Sequence, residues 1–381
     1  MLSRLRLALP ILLALVWAPA SHAAVPPDFV GVTSQDGFAV EGSYRASTMA
    51  GQRAVGIGLL RQTFNWSDIE KSPGRYDFSA YDDYVRDAAA TGIAVMPVLY
   101  HPPAFHMPHR GRSICQPNRL DAMADFARAA VRRYGPNGSL WREQPAAPSM
   151  PIHSWQIWNE PNVGQYWCDG PNARGYVDML RVVGGAIKRE DPHAELVTAG
   201  LSDTKMRRAA PLARFLTGLY RAGAAPYFDT LAIHGYAKNS AAVSRLLHRV
   251  RRAMNRRGDR RTPIWVTEIG WGDVGPSHRF IVGSAGQAAR IKGAFTVISA
   301  LRRKVRLRGV VYYAWRDERP YPPLYKDIWG LHTGLLDVRN NPKPAFRAFR
   351  EAVDKLSFER PPLPPVEQPT PPPPPLASAH R

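Results

Sequence analysis

Two glutamates stand at the ends of apolar runs, where a carboxylate is costly to place. Glu160 follows Trp155-Gln156-Ile157-Trp158-Asn159, and Glu268 follows Ile264-Trp265-Val266-Thr267. A buried charge without a partner is expensive, so each carboxylate has either a structural counterion or a chemical task. A pair can do what one cannot: one carboxyl protonates a leaving oxygen while the other attacks the carbon that the oxygen leaves. Arg61, His101, Asn159, His234, Tyr236 and Trp315 also sit at or near the ends of apolar runs. Taken alone, His234 reads equally well as a core histidine, and a structural counterion is the lesser reading of Arg61. Trp155, Trp158 and Trp265 lie within the runs and read as packing residues.

Glu160 and Glu268 can meet only if their runs lie side by side and parallel. Short apolar segments do alternate with longer amphipathic ones along the chain. Phe29–Ser34, Gly56–Phe64, Ile93–Tyr100, His153–Asn162, Glu195–Asp203, Phe228–Tyr236, Pro263–Trp271 and Gly309–Trp315 read as eight strands. Helices are expected around Tyr81–Ala90, Leu120–Tyr134, Ala173–Arg189, Ala213–Ala222, Ser240–Arg256, Gln287–Lys304 and Pro344–Leu356. Strands separated by helices imply parallel pairing under a helical cover. Eight such units predict the α/β class and, within it, a (β/α)8 TIM barrel in a single catalytic domain. In that fold chemistry sits at the carboxyl ends of the strands, where both glutamates would point into one bowl.

At this point the chain resembles a clan A glycoside hydrolase and is most similar to family 39 and related bacterial (β/α)8 glycosidases. The resemblance rests on Asn159-Glu160-Pro161 after the fourth strand and Glu268 at the end of the seventh. It implies Glu160 as acid/base, Glu268 as nucleophile, and carboxylates about 5–5.5 Å apart, the spacing of a retaining double displacement. It also implies that Arg61 steadies the nucleophile, since a nearby cation favours the charged form, and that Asn159 binds a sugar hydroxyl. Tyr236 would donate to the nucleophile, His234 would line the pocket, Trp315 would offer an aromatic floor, and His101 is a further substrate-binding candidate. The histidines show no zinc spacing and no calcium loop is visible, so neither metal nor cofactor is expected. A transglycosylase of the same site and a non-catalytic polysaccharide-binding barrel stay open, as do the sugar and linkage.

The ends of the chain lie outside this scheme. Arg4 and Arg6, the apolar run Leu7–Ala18 and Ser21-His22-Ala23 describe a signal peptide over residues 1–23. Its apolar core is shorter than the roughly 20 residues of a membrane span. A secreted, periplasmic or envelope-associated protein is therefore expected, with a hydrolase domain over residues 24–360. Residues 361–381 are a proline-rich tail that buries almost nothing. Export permits a bond between Cys115 and Cys168, which would tie the loops after strands three and four, although two unpaired thiols stay open because sequence does not show geometry.

The 51 basic and 31 acidic residues give a net charge of +20, which favours anionic surroundings. Arginines concentrate over Arg245–Arg261 and Arg302–Arg308, in segments that lead into strands seven and eight. Two readings stay open: a basic patch at the base of the barrel facing an anionic cell-envelope surface, or simply solvated helix faces. No aromatic platform or reading motif accompanies it, so no specific nucleic-acid partner is expected. The partners expected are a carbohydrate substrate and that surface, for a monomer without a transmembrane segment.

Overall fold

A computed structural model of the protein describes residues 24–34, 42–109, 114–320 and 326–356. The expected signal peptide (1–23) and proline-rich tail (361–381) lie outside the described residues. Eight strands form the barrel: β1 Val30–Thr33, β2 Leu59–Asn65, β3 Ala94–Tyr100, β4 Ser154–Ile157, β5 Glu195–Thr198, β6 Leu231–His234, β7 Ile264–Ile269 and β8 Leu307–Tyr313. All pairings in this sheet are parallel, in the order β5-β4-β3-β2-β1-β8-β7-β6. The ring closes where β5 also meets β6. Val197 bridges Thr230, and the short strand Leu201–Ser202, continuing β5 after a bend, pairs with Ile233 and His234.

The outer layer consists of α1 Gly42–Ala54, α2 Ser79–Ala90, α3 Leu120–Tyr134, α4 Ala173–Glu190, α5 Leu212–Arg221, α6 Ser240–Asn255, α7 Gly283–Leu301 and α8 Pro344–Asp354. Their apolar residues recur at helical spacing: α3 buries Met123, Phe126, Ala127, Ala130, Val131 and Tyr134. Asn172 and Asn239 cap α4 and α6 by accepting from the N–H groups of Gly175 and Ala242, each at 3.0 Å. No helix among the described residues is long and apolar enough to cross a membrane.

Two cores result. The larger lies between strands and helices and includes Trp155 and Trp158. The smaller, inside the barrel, combines Leu59, Met96, Val197, Ala232, Trp265 and Val311, one from each of six strands. Arg308 closes it from below: its guanidinium lies 4.4 Å from the centre of the Trp265 ring and binds Asp28 at 2.6 Å. With its floor plugged, the barrel is open to chemistry only at its upper end.

Candidate active site

Arg61 points inward from β2 and is almost fully buried. Its guanidinium is spent on three acceptors: Nε donates to Gln156 Oε1 (2.7 Å), Nη1 to Glu268 Oε1 (2.8 Å) and Nη2 to Asn159 Oδ1 (3.0 Å). Gln156 in turn donates to the carbonyl of Thr198 at 2.9 Å. One planar fork thus ties β2 to β4 and β7, a task for which lysine lacks the geometry.

The second oxygen of Glu268 accepts from the Tyr236 hydroxyl at 2.8 Å and lies 3.3 Å from His234 Nδ1. The same Nδ1 is 2.6 Å from Glu160 Oε1. One oxygen of each glutamate and a ring nitrogen of His234 fall within 4.8 Å of one another. The two carboxylates thus approach closely, with the imidazole between them.

Burial alone would push the Glu268 carboxyl up, but His234, Arg61 and the Tyr236 hydroxyl outweigh it and hold the group below the usual carboxylate range. Tyr236 is driven the other way by burial and by Glu268, so it remains a protonated donor. Tyr100, at the end of β3, is likewise raised by burial, then by Tyr166 and the two glutamates. Its hydroxyl is buried without a hydrogen-bond partner among the described residues.

The backbone is bent to deliver these groups. His101 (φ 59°), Trp158 (φ 76°) and Glu160 (φ 41°) all adopt the left-handed region at strand ends, a conformation costly for residues other than glycine. Asn162 stabilises the bend after β4 by donating to the carbonyls of Ser202 and Ala210 and accepting from Ser202 N–H. Trp158 anchors the same bend through Nε1 to the carbonyl of Tyr166, at 3.1 Å. Cys115 and Cys168 form a disulfide with Cα atoms 5.0 Å apart, tying the loops after β3 and β4.

The loops after β7 and β8 supply an aromatic wall. Trp329 lies parallel to His278 (5.1 Å, 7°) and edge-on to Tyr236 (5.1 Å, 89°), with Phe280 at 4.9 Å. Both loops are fixed from beneath by Lys343, buried at the start of α8, which binds Asp273 at 2.7 Å and Asp317 at 2.9 Å.

Of the residues singled out in the sequence, Glu160, Glu268, Arg61, Asn159, His234 and Tyr236 converge on one hydrogen-bonded cluster. His101 lies beside it, half-buried, with its ring 6.1 Å from that of Tyr100. Trp315 is placed elsewhere. It is 3% exposed and packs edge-on against Phe346 of α8 (5.9 Å), so it offers no open face to a sugar. It lies two residues beyond β8, with its N–H still donating to the carbonyl of Thr33 of β1 (2.9 Å) while its ring faces the helical layer. Gln156, Tyr100, Trp329, His278 and Phe280 were not anticipated. Gln156 looks like one polar interruption of an apolar strand, and the wall lies in loops whose course the sequence does not reveal.

Two groupings among the described residues bring metal-ligand atoms together: Glu160, His234 and Glu268, and His109, Cys168 and Asp169. The sulfur of Cys168 is committed to the disulfide. The second nitrogen of His234 is buried with no partner among the described residues, whereas a metal-bound imidazole normally donates from that atom. The first cluster therefore suits proton handling better than metal binding.

No protein-family model matches the chain, and no curated protein matches it in sequence. Its fold is similar to that of solved structures. A family 39 glycoside hydrolase from the gut symbiont Bacteroides cellulosilyticus WH2 aligns at TM-score 0.64 and 20% identity, over 87% of this chain and 64% of that one. A monomeric beta-xylosidase from Caulobacter crescentus CB15 aligns at 0.61 and 18%, over 86% and 68%. Native xylanase 10B from Thermotoga maritima aligns at 0.59 and 16%, over 88% and 97%. The chain thus spans less than two-thirds of the first of these and nearly all of the last. These likenesses establish the architecture: the chain folds as the (β/α)8 barrel found in glycoside hydrolases.

Proposed function

We propose that the protein is an exported glycoside hydrolase that cleaves O-glycosidic bonds of a polysaccharide or oligosaccharide with retention of anomeric configuration. The observation that carries this is the approach of Glu160 and Glu268 at the tips of β4 and β7, with Glu268 held ionised by Arg61 and Tyr236. Glu268 attacks the anomeric carbon while Glu160 gives its proton to the departing oxygen. The C–O bond breaks and a glycosyl ester forms on Glu268. Glu160, now a carboxylate, takes a proton from water, whose oxygen attacks the same carbon and releases Glu268. Each proton lent by Glu160 is returned within one cycle.

His234 sits where a proton on Nδ1 can be shared between the carboxylates, which positions Glu160 for both half-reactions. The names of the similar structures, a xylosidase and a xylanase among them, support a sugar substrate without choosing one. The disulfide favours an oxidising compartment and so agrees with export.

The test is hydrolysis of a panel of aryl β-glycosides and polysaccharides by the wild type, Glu160→Gln and Glu268→Gln. Loss of turnover in both variants, smallest for Glu160→Gln with the best leaving groups, is expected. Equal activity in wild type and Glu268→Gln, or polysaccharide binding without turnover by any form, would overturn the reading.

A further inference from the structure

The arginine-rich segments form one continuous surface, and part of it is not at the base of the barrel. Arg245, Arg249, Arg252 and Arg256 follow a 4-3-4 spacing along α6 and its C-cap, and all four are exposed. The opposite face of that helix, with Val243, Leu246, Leu247, Val250 and Met254, is buried. Because the strands run upward to the catalytic end, α6 runs downward, and the stripe descends the outer wall for about 17 Å. At the base it meets the second segment. Arg251 donates to the carbonyls of Thr262 (2.7 Å) and Val305 (3.0 Å), and Arg306 donates to that of Arg261 (2.7 Å). The turns before β7 and β8 are therefore locked together.

Some cations of these segments are structural: Arg251, Arg306 and Arg308 hold the basal turns, and Arg249 pairs with Asp203. The rest are not. Arg245, Arg252, Arg256, Arg257, Arg260, Arg261, Arg303 and Lys304 are exposed, and none joins an ion pair among the described residues. The one acid in these segments, Asp259, is occupied by the Tyr220 hydroxyl and Thr262 N–H. Like charges at helical spacing repel, so this surface is stabilised by a counter-charge from outside.

We propose that the α6 stripe and the basal turns form an exosite for a linear carboxylated polysaccharide, away from the catalytic carboxylates. An elongated row of guanidinium groups matches an extended chain of carboxylates, each able to take a two-pronged hydrogen bond. A lipid surface fits less well. Among the described residues, the exposed large apolar side chains, Phe105, Met206, Val274 and Ile328, all lie in loops after strands, at the other end of the barrel, and leave the stripe with nothing to insert. A nucleic acid fits less well because no aromatic is interleaved with the stripe. The choice of a glycan rests on the function proposed above; the site itself is tested by binding, which needs no turnover.

The experiment measures binding of polygalacturonate to the full chain carrying Glu268→Gln, so that cleavage cannot erode the probe. Neutral xylan, phosphatidylglycerol vesicles and single-stranded DNA serve as comparisons at about 0.1 M salt, where exposed charges act over about 10 Å. Arg245, Arg252, Arg256 and Arg257 changed together to Gln should weaken binding at least tenfold. Arg303→Gln with Lys304→Gln, which leaves the helix untouched, should weaken it severalfold, and Arg181→Gln on α4 should not change it. Higher salt should weaken it further. Polygalacturonate binding that survives both sets of changes overturns the proposal, as does tighter binding of vesicles or DNA than of polygalacturonate. Binding with the expected losses, alongside a failed hydrolysis panel, would sink the catalytic reading and leave the exosite standing.

Discussion

Gly200 and His234 are fitted to each other: a methyl group on Gly200 would lie 2.0 Å from His234 Nε2. Gly200 forms the bend between β5 and Leu201–Ser202, and the imidazole lies against it with Nδ1 turned to both glutamates. Gly200→Ala should therefore displace the ring. The expected cost in stability is about 1–3 kcal/mol, as for an overpacked core, with turnover falling at least tenfold. Denaturant unfolding and kcat measured on the same preparation check this; unchanged kcat would mean that the contact of His234 with Glu160 is idle.

Arg61→Lys keeps the charge beside Glu268 and removes the fork that also reaches Gln156 and Asn159. Losing hydrogen bonds to a charged group costs roughly 1.5–3 kcal/mol each. A fall in kcat/KM of about 100-fold is expected while the fold survives, as circular dichroism would verify. A variant with wild-type kcat/KM would show that charge alone suffices.

The pH profile reports the state of Glu268. Its pKa is depressed in the folded protein, so its favourable contribution is present above the unfolded carboxylate value and is lost as pH falls through the folded one. Tyr236→Phe removes one donor that favours the carboxylate. The acid limb of kcat/KM should move to higher pH, with the alkaline limb in place. A shift of the acid limb to lower pH would contradict the role given to Tyr236.

The Cys115–Cys168 bond closes a loop with a sequence separation of 53. Chain entropy assigns such a closure roughly 4 kcal/mol. Replacing both cysteines by serine should lower unfolding free energy by a few kcal/mol and, through Trp158 and Tyr166, loosen the bend that carries Glu160. Chemical denaturation of the two forms decides the point; equal stabilities would show that the loops hold each other without the bond.

Much of this site was legible because strands impose a direction. Glu160 and Glu268 end apolar runs, parallel strands bring those ends together, and His234 and Tyr236 follow from the same rule, whereas Arg61, third of the seven residues of β2, was marked by the family resemblance. The rule fails two residues later. Trp315 ends an apolar segment in the sequence, and its backbone still bonds to Thr33 of β1, but its ring is turned outward to α8. Trp329 and His278 lie in loops fixed by Lys343, Asp273 and Asp317, a contact between distant positions with no local signature. The arginine segments misled in a similar way: periodicity placed α6 correctly, but reading its arginines as part of a basal turn missed the stripe on its outer face.

The central claim is a double displacement carried by the pair Glu160 and Glu268, and stereochemistry tests it most directly. Proton NMR would follow the anomeric configuration of the first sugar released from whichever β-glycoside of the panel is cleaved fastest. A β product that mutarotates only afterwards is expected, as a double displacement through Glu268 requires. An α product from the first turnovers would contradict it, because two inversions cannot give a net inversion.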